Sequence, residues 1–397
     1  MKYDLLSKIY YSNRDSYESF YQERFQKGVK LDIDINGFRA FFSDETDIYR
    51  KLLEIERINS NICYLAGRLP GVALAQYESR CLIDEIILTN DIEGVYSTRK
   101  EIGTILNELE EKNKKNRFYG LVNKYVMLNK GGIIPLNTSK DVRDLYDELF
   151  LDEVAAEDPG DVPDGIIFRI GPVNVIDSRQ HTVHEGLLPE SAIIDAMDRS
   201  LMILNDDMME VIVRTAIFHY LFGYIHPFYE GNGRMSRFIS SYMLGKALHP
   251  LTVYKLSYVI KDNLNQYYKA FKNCNDKHNR GDLTPFILFF LDIIVEVCEQ
   301  LRTDLQERID RLDALAVLIS NYTDDEEMQK LYYVLLQASL FSESGIPTSD
   351  LLELSAVSRP TLLRRLNEIK NNGLLEVSTI GKVKYYKLDT EVLERAD

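Results

Sequence analysis

His226-Pro227-Phe228-Tyr229-Glu230-Gly231-Asn232-Gly233-Arg234-Met235-Ser236-Arg237 stands between two helical runs. Upstream of it, Val211, Thr215, Phe218, Phe222 and Ile225 recur at steps of three or four, the period of a helix. Pro227 forbids continuation of that helix, and two glycines one residue apart free the backbone just before a new helix begins near Arg234. Unpaired N–H groups at Gly231, Asn232 and Gly233, with the positive end of the following helix, make an anion cradle that needs no side-chain charge. Arg234 and Arg237, spaced i,i+3, reach the same side and can grip phosphate oxygens bidentately, which implies a polyphosphate.

Glu230, at the lip of this cradle, offers the hard carboxylate oxygen that Mg²⁺ prefers when it also bridges phosphates. His226 is the one group in the stretch able to take a proton near neutral pH. Together these parts describe in-line attack of a hydroxyl on a nucleotide phosphate. No GxxxxGK[ST] occurs, so the Walker alternative fails.

The run resembles the Fic-domain signature HxFx(D/E)GNGRxxR and matches it at every fixed position. The resemblance implies an all-helical core that transfers AMP from ATP to a protein Ser, Thr or Tyr hydroxyl. It further implies His226 as base, Glu230 as the Mg²⁺ ligand, Gly231, Asn232, Gly233 and Arg234 on the α- and β-phosphates, and Arg237 on the γ-phosphate. Phe228 is expected only to anchor the loop.

Three other segments acquire a reading from the same resemblance. Residues 165–190, rich in Gly, Pro and β-branched runs, suit a small hairpin. They match in position and composition the β-hairpin flap that registers a target segment by strand addition in that family. His181 and His184 lie there without a third ligand at a telling spacing, so loop histidines facing target or water are preferred to a metal pair. His219, two turns before His226, is read as a packed or surface histidine. Tyr267, Tyr268 and Asn275 resemble the adenosine-lining segment, with Tyr268 and Asn275 assigned to the nucleotide and one tyrosine left to the core. The Asn-to-Gly spacing is longer here than in that family.

Thr89-Asn90-Asp91-Ile92-Glu93-Gly94 resembles the inhibitory [S/T]xxxE(G/N) helix of autoinhibited Fic proteins. Thr89 and Glu93 are i,i+4 and face one way, while Gly94 suits a helix terminus. The resemblance implies a carboxylate at Glu93 that pairs with Arg237 and forces ATP into an unproductive pose.

Working outward, helix-like segments cover about 45–65, 71–92, 98–114, 207–225, 234–246, 260–273, 284–318 and 327–341, so the fold class is mainly α. Residues 141–164 hold ten acids against Arg143 alone and lack EF-hand spacing, and are read as a solvated face and connection. From 328 onward, helix, short helix, longer helix and two strand-like runs around Gly381 follow the order of a winged helix-turn-helix. Residues 356–388 contain seven bases, Lys382 among them, and two acids, a local charge of 7 − 2 = +5. The expected domains are an amino-terminal helical region at 1–115 carrying the inhibitory helix, a Fic catalytic domain at 116–318, and a winged domain at 325–397.

The 397 residues carry 47 Lys+Arg and 62 Asp+Glu, a formal charge of −15, which excludes a chain that coats nucleic acid or anionic membrane over its whole surface. Four cysteines without CxxC spacing suggest neither a zinc ribbon nor a disulfide framework, and a reducing cytoplasm fits best. The amino terminus lacks a signal-peptide core and the longest apolar run is far too short for a bilayer, which argues against secretion and membrane insertion.

The leading function is thus an autoinhibited protein adenylyltransferase with Mg²⁺ as cofactor and ATP as substrate, acting on a protein hydroxyl, its own included. The alternatives are a phosphodiesterase of the same fold that uses Glu93 to remove AMP, and a DNA-binding regulator working through the carboxy-terminal domain. A homodimer is left open. UMP, phosphocholine and phosphate transfers also occur in the wider family, and the aromatic and Asn275 features favour adenine.

Overall fold

The computed structural model describes residues 3–43, 46–107, 109, 116–176, 182–380 and 383–395. His181, Gly381 and Lys382, each singled out above, lie outside the described residues. The chain forms two compact units, Met1–Asn59 with Ile83–Cys298, and Ser60–Leu82 with Glu299–Asp397. Residues 1–115 are therefore shared between both units.

The first unit is built around the helix Val211–Ile225, in which twelve of fifteen residues are buried. A helix apolar on every side can only be central. The helices Glu190–Leu204 and Asn232–Leu244 pack against it. The helical segments expected from periodicity are present as Thr46–Arg68, Gly71–Ile92, Arg99–Asn107, Asn232–Leu244, Leu264–Asn275, Thr284–Leu318 and Glu326–Phe341. Among the described residues no helix is long and apolar enough to cross a membrane, and none of Cys63, Cys81, Cys274 and Cys298 is in a disulfide.

Two features depart from the sequence reading. The amino-terminal region is not wholly helical, because Val29–Ile35 and Phe38–Phe42 pair as an antiparallel hairpin. Leu31, Ile33 and Ile35 alternate inward, and Asn36-Gly37 turns with φ of 52° and 81°. Asn-Gly between alternating apolar residues is the hairpin signal that helical periodicity overshadowed. The acidic run at 141–164 is also more than a solvated connection. Ser139–Tyr146, a π-helical turn Asp147–Leu151 and Asp152–Glu157 follow one another directly, and Val142, Leu145, Tyr146, Leu149, Phe150, Glu153 and Val154 are buried.

In the second unit Glu326–Phe341, Thr348–Ser355 and Arg359–Asn371 are helices, and Ile346–Pro347, Leu375–Ile380 and Val383–Leu388 form a three-stranded antiparallel sheet with Val383–Leu388 in the middle. Leu351, Leu362, Leu366, Ile369 and Tyr386 contribute to the core. Ser358 caps the Arg359–Asn371 helix, with Pro360 in its first turn. Arg359, Arg364 and Lys370 stay on its exposed side, as does Lys384 on the middle strand.

Candidate active site

The Val211–Ile225 helix ends where Pro227 removes the next donor, and His226 takes a left-handed conformation (φ 51°, ψ 64°) that turns the chain sharply. Phe228 is wholly buried, stacked on Tyr146 at 3.8 Å and edge-on to Phe168. Asn232 closes the loop on itself: its Oδ1 accepts from the Phe228 N–H at 3.0 Å and its Nδ2 donates to the Phe228 carbonyl at 2.8 Å. Gly231 has φ 82° and begins the Asn232–Leu244 helix. The side chain of Asn232 is thus a staple, and it is the backbone at 231–233 that remains for an anion.

Arg237 is 1% exposed and held by the helix that ends at Ile92. Its Nε donates to Thr89 Oγ1 at 2.8 Å, and its Nη2 donates to the Thr89 carbonyl at 2.9 Å and to Glu93 Oε1 at 2.7 Å. Gly94, with φ 76°, stops that helix, so Glu93 stands on its last turn one step from Thr89. A Cβ at Gly233 would fall 2.1 Å from Glu93 Oε1. The carboxylate therefore lies directly on the glycine turn as well as on Arg237.

Arg234 is engaged elsewhere. Its Nη1 donates to Glu153 at 2.6 Å, both side chains are 2% exposed, and the guanidinium sits over the Phe150 ring. Asn174–Ile176 and Thr182–Glu185 form a short antiparallel hairpin beside the site, with Val175 opposite His184. His184 turns inward, stacking on Tyr224 with its Nε2 2.6 Å from the Tyr224 carbonyl.

Residues 136–244 match the model of the Fic/DOC family. That segment, about a quarter of the chain, is what this chain shares with the family. The chain is 36% identical over 77 residues to a protein adenylyltransferase Fic of Drosophila yakuba, covering 19% of this chain and 14% of that relative. A relative of the same name from Drosophila ananassae is 25% identical over 146 residues, 35% of this chain and 28% of the other. The chain thus spans a small part of the curated relatives it matches. In fold it is similar to the crystal structure of a Fic family protein from Desulfovibrio desulfuricans, at 20% identity and a TM-score of 0.52, over 87% of this chain and 97% of that one.

Within the matched segment, burial holds the His226 imidazole well below its ordinary value, at about 4; the nearby charges of Arg169 and His184 push the same way, while the Gly223 carbonyl and Glu93 oppose them. The ring is therefore a neutral base at pH 7. Glu230 projects at the open side of the turn, and its carboxyl is raised first by the partial cover around it and then by Asp161. A carboxylate at the open side of the turn suits a hard cation that is held by one or two carboxylates together with phosphate oxygens. No group of three or more such ligands occurs among the described residues.

Tyr267 and Tyr268 differ in burial. Tyr267 is buried, its hydroxyl 2.7 Å from His219 Nε2, and His219 Nδ1 lies 2.8 Å from Ser240 Oγ. Burial takes the His219 imidazole down to about 3, so it is a packed neutral histidine. Tyr268 is 36% exposed, and burial and the neighbouring Glu93 raise its hydroxyl. Asn275 uses its side-chain oxygen to accept from the Tyr220 hydroxyl at 2.6 Å, which points it toward the central helix.

Sequence reading missed Arg169 and Glu153. Arg169 is fully buried between the hairpin and the His226 loop, with no carboxylate partner among the described residues. Glu153 was grouped with solvated acids, although Tyr146, Phe150 and Glu153 at helical spacing mark one inward face.

Proposed function

We propose that this chain is a protein adenylyltransferase whose Glu93 holds it off. One observation carries the reading: the Glu93 carboxylate pairs with Arg237 and overlies Gly233, where a phosphate of bound nucleotide would otherwise sit. With Glu93 displaced, Arg237 remains fixed by Thr89 and takes the γ-phosphate, while the Gly231–Gly233 backbone takes the phosphates nearer the sugar. The neutral His226 accepts the proton of a Ser, Thr or Tyr hydroxyl laid along the hairpin. The hydroxyl oxygen then forms a bond to the α-phosphorus, the bridging bond to the β-phosphate breaks, and pyrophosphate leaves.

Glu230 is the residue that would hold Mg²⁺, which supplies charge neutralisation on the phosphates when bound. Tyr268, half open beside Glu93, is assigned to the adenosine side, and Asn275, whose side-chain oxygen is held by Tyr220, would contact the base through its Nδ2 alone. Arg234, already matched by Glu153, contributes its charge to the turn from within and fixes the Asp152–Glu157 helix against it. The catalytic domain is taken as 116–318.

The second unit supports a separate proposal. The order of its helices and strands supports reading 325–397 as a winged helix-turn-helix, and Arg359, Arg364 and Lys370 on the exposed side of the longer helix favour DNA contact through that helix and the basic strand beside it. Removal of AMP by water positioned on Glu93 is the alternative reaction for the same catalytic site.

Incubating wild type and Glu93→Gly with each α-labelled nucleoside triphosphate and Mg²⁺, then mapping the modified residue by mass spectrometry, tests the reading. Label from ATP on a protein hydroxyl, rising in the variant, supports it. Release of AMP from a modified protein by the wild type, lost in the variant, would favour the alternative reaction.

A further inference from the structure

An arginine with no exposed surface ordinarily sits against a carboxylate. Arg169 instead spends its guanidinium on three backbone carbonyls: Nε donates to His226 at 2.8 Å, Nη1 to Gly171 at 2.5 Å and Nη2 to Leu187 at 3.1 Å. Its own N–H reaches the Pro227 carbonyl at 3.3 Å. Gly171 and Leu187 lie just before and just after the hairpin Asn174–Ile176 and Thr182–Glu185, so one side chain ties both hairpin roots to the residue that bears the base.

The site has little slack around this side chain. A Cβ at Gly186 would lie 2.3 Å from Arg169 Nη2 and 3.0 Å from His226 Cβ. Tyr229 reinforces the same root, its hydroxyl accepting from the Gly171 N–H at 2.8 Å and donating to Asp164 at 2.9 Å. The His226 ring is buried with the Gly223 carbonyl acting on it, and where it stands depends on the backbone that carries it. That backbone is in the left-handed region, which an L residue keeps only when its surroundings impose it.

We infer that Arg169 is a positioning residue: by holding the His226 carbonyl and both roots of the hairpin together, it sets the base and the bound acceptor segment at one fixed separation. This rests on the function proposed above. A misplacement of about 1 Å costs on the order of 10²-fold in rate without weakening nucleotide contacts.

The test uses the full chain carrying Glu93→Gly, to which Arg169→Lys, Arg169→Gln or Gly186→Ala is added. Lysine keeps the charge without the three-way fork, and Gly186→Ala displaces the guanidinium without altering it. All three should lower kcat for AMP transfer by about 10²-fold while KM for ATP stays within about twofold. Amide exchange should speed at Gly186, Leu187 and His226 and stay unchanged in the helix Asn232–Leu244. A kcat within about threefold of the parent in all three, or a fall matched by an equal loss of ATP affinity, overturns the inference. Should the Glu93→Gly parent itself transfer no label, the proposed function falls; the exchange pattern then decides Arg169 alone, unchanged protection at the three amides being the result that rejects it.

Discussion

Glu93 and Arg237, 144 residues apart in sequence, meet at 2.7 Å with unequal burial: the guanidinium side chain is 1% exposed and the carboxylate side chain 27%. Arg237 keeps two further bonds to Thr89 when Glu93 leaves. Displacing Glu93 therefore opens the clamp without dismantling it, and water can receive the freed carboxylate. The proposed brake is reversible only with this asymmetry.

His226→Ala in the Glu93→Gly background should reduce transfer by about 10²- to 10⁴-fold and leave ATP binding nearly intact, because a general base touches the acceptor and not the phosphates. Arg237→Ala should instead weaken ATP binding. Calorimetry of both variants beside a transfer assay checks the contrast; retained turnover without His226 removes it from the mechanism.

Glu153→Ala should destabilise the fold by about 3–5 kcal/mol, since it strands a buried guanidinium at Arg234. Arg234→Met added to it should recover part of that loss by removing the unpaired charge. Denaturant unfolding of the single and double variants measures both. Equal stability of wild type and Glu153→Ala would mean that Arg234 finds another partner.

The break and turn of the His226–Arg237 stretch were legible because Pro and Gly there end one helix and start the next. The positions of Thr89 and Glu93 followed from helical spacing. Arg169 and Glu153 were not legible, because what matters in them is burial against partners 57 and 81 residues away, and a charged residue in a loop or acidic run is ordinarily solvated. The hairpin at 29–42 was readable from Asn36-Gly37 and yielded to the stronger helical period around it.

The pH dependence has two limbs of opposite sign. His226 and His219, at about 4 and 3 in the folded chain, bind protons more readily when unfolded, so their contribution is complete above about pH 6.5 and lost as pH falls through those values. Glu85 is fully buried and accepts from Ser257; burial raises its carboxyl to about 7, so its contribution is present below its ordinary 4.5 and lost as pH rises through 7. Glu85→Gln should therefore gain about 3 kcal/mol relative to wild type between pH 4.5 and 8. A constant difference across that range would show that Glu85 stays ionised. Transfer itself should keep its base down to about pH 4.

For the second unit, Arg364→Ala with Arg365→Ala in the full chain should weaken binding to duplex DNA and flatten its decline with salt. Titration by fluorescence anisotropy at two salt concentrations reads this. No association of the full chain at low salt would assign the unit to protein docking or dimerisation.

The brake itself is tested most directly by measuring AMP incorporation from α-labelled ATP for wild type and Glu93→Gly side by side, with His226→Ala in the Glu93→Gly background as the blank. Freeing Arg237 and the Gly233 turn should raise incorporation by at least about tenfold, the gain expected from restoring a productive phosphate pose. Equal labelling of the two proteins, above the blank, would contradict autoinhibition by Glu93.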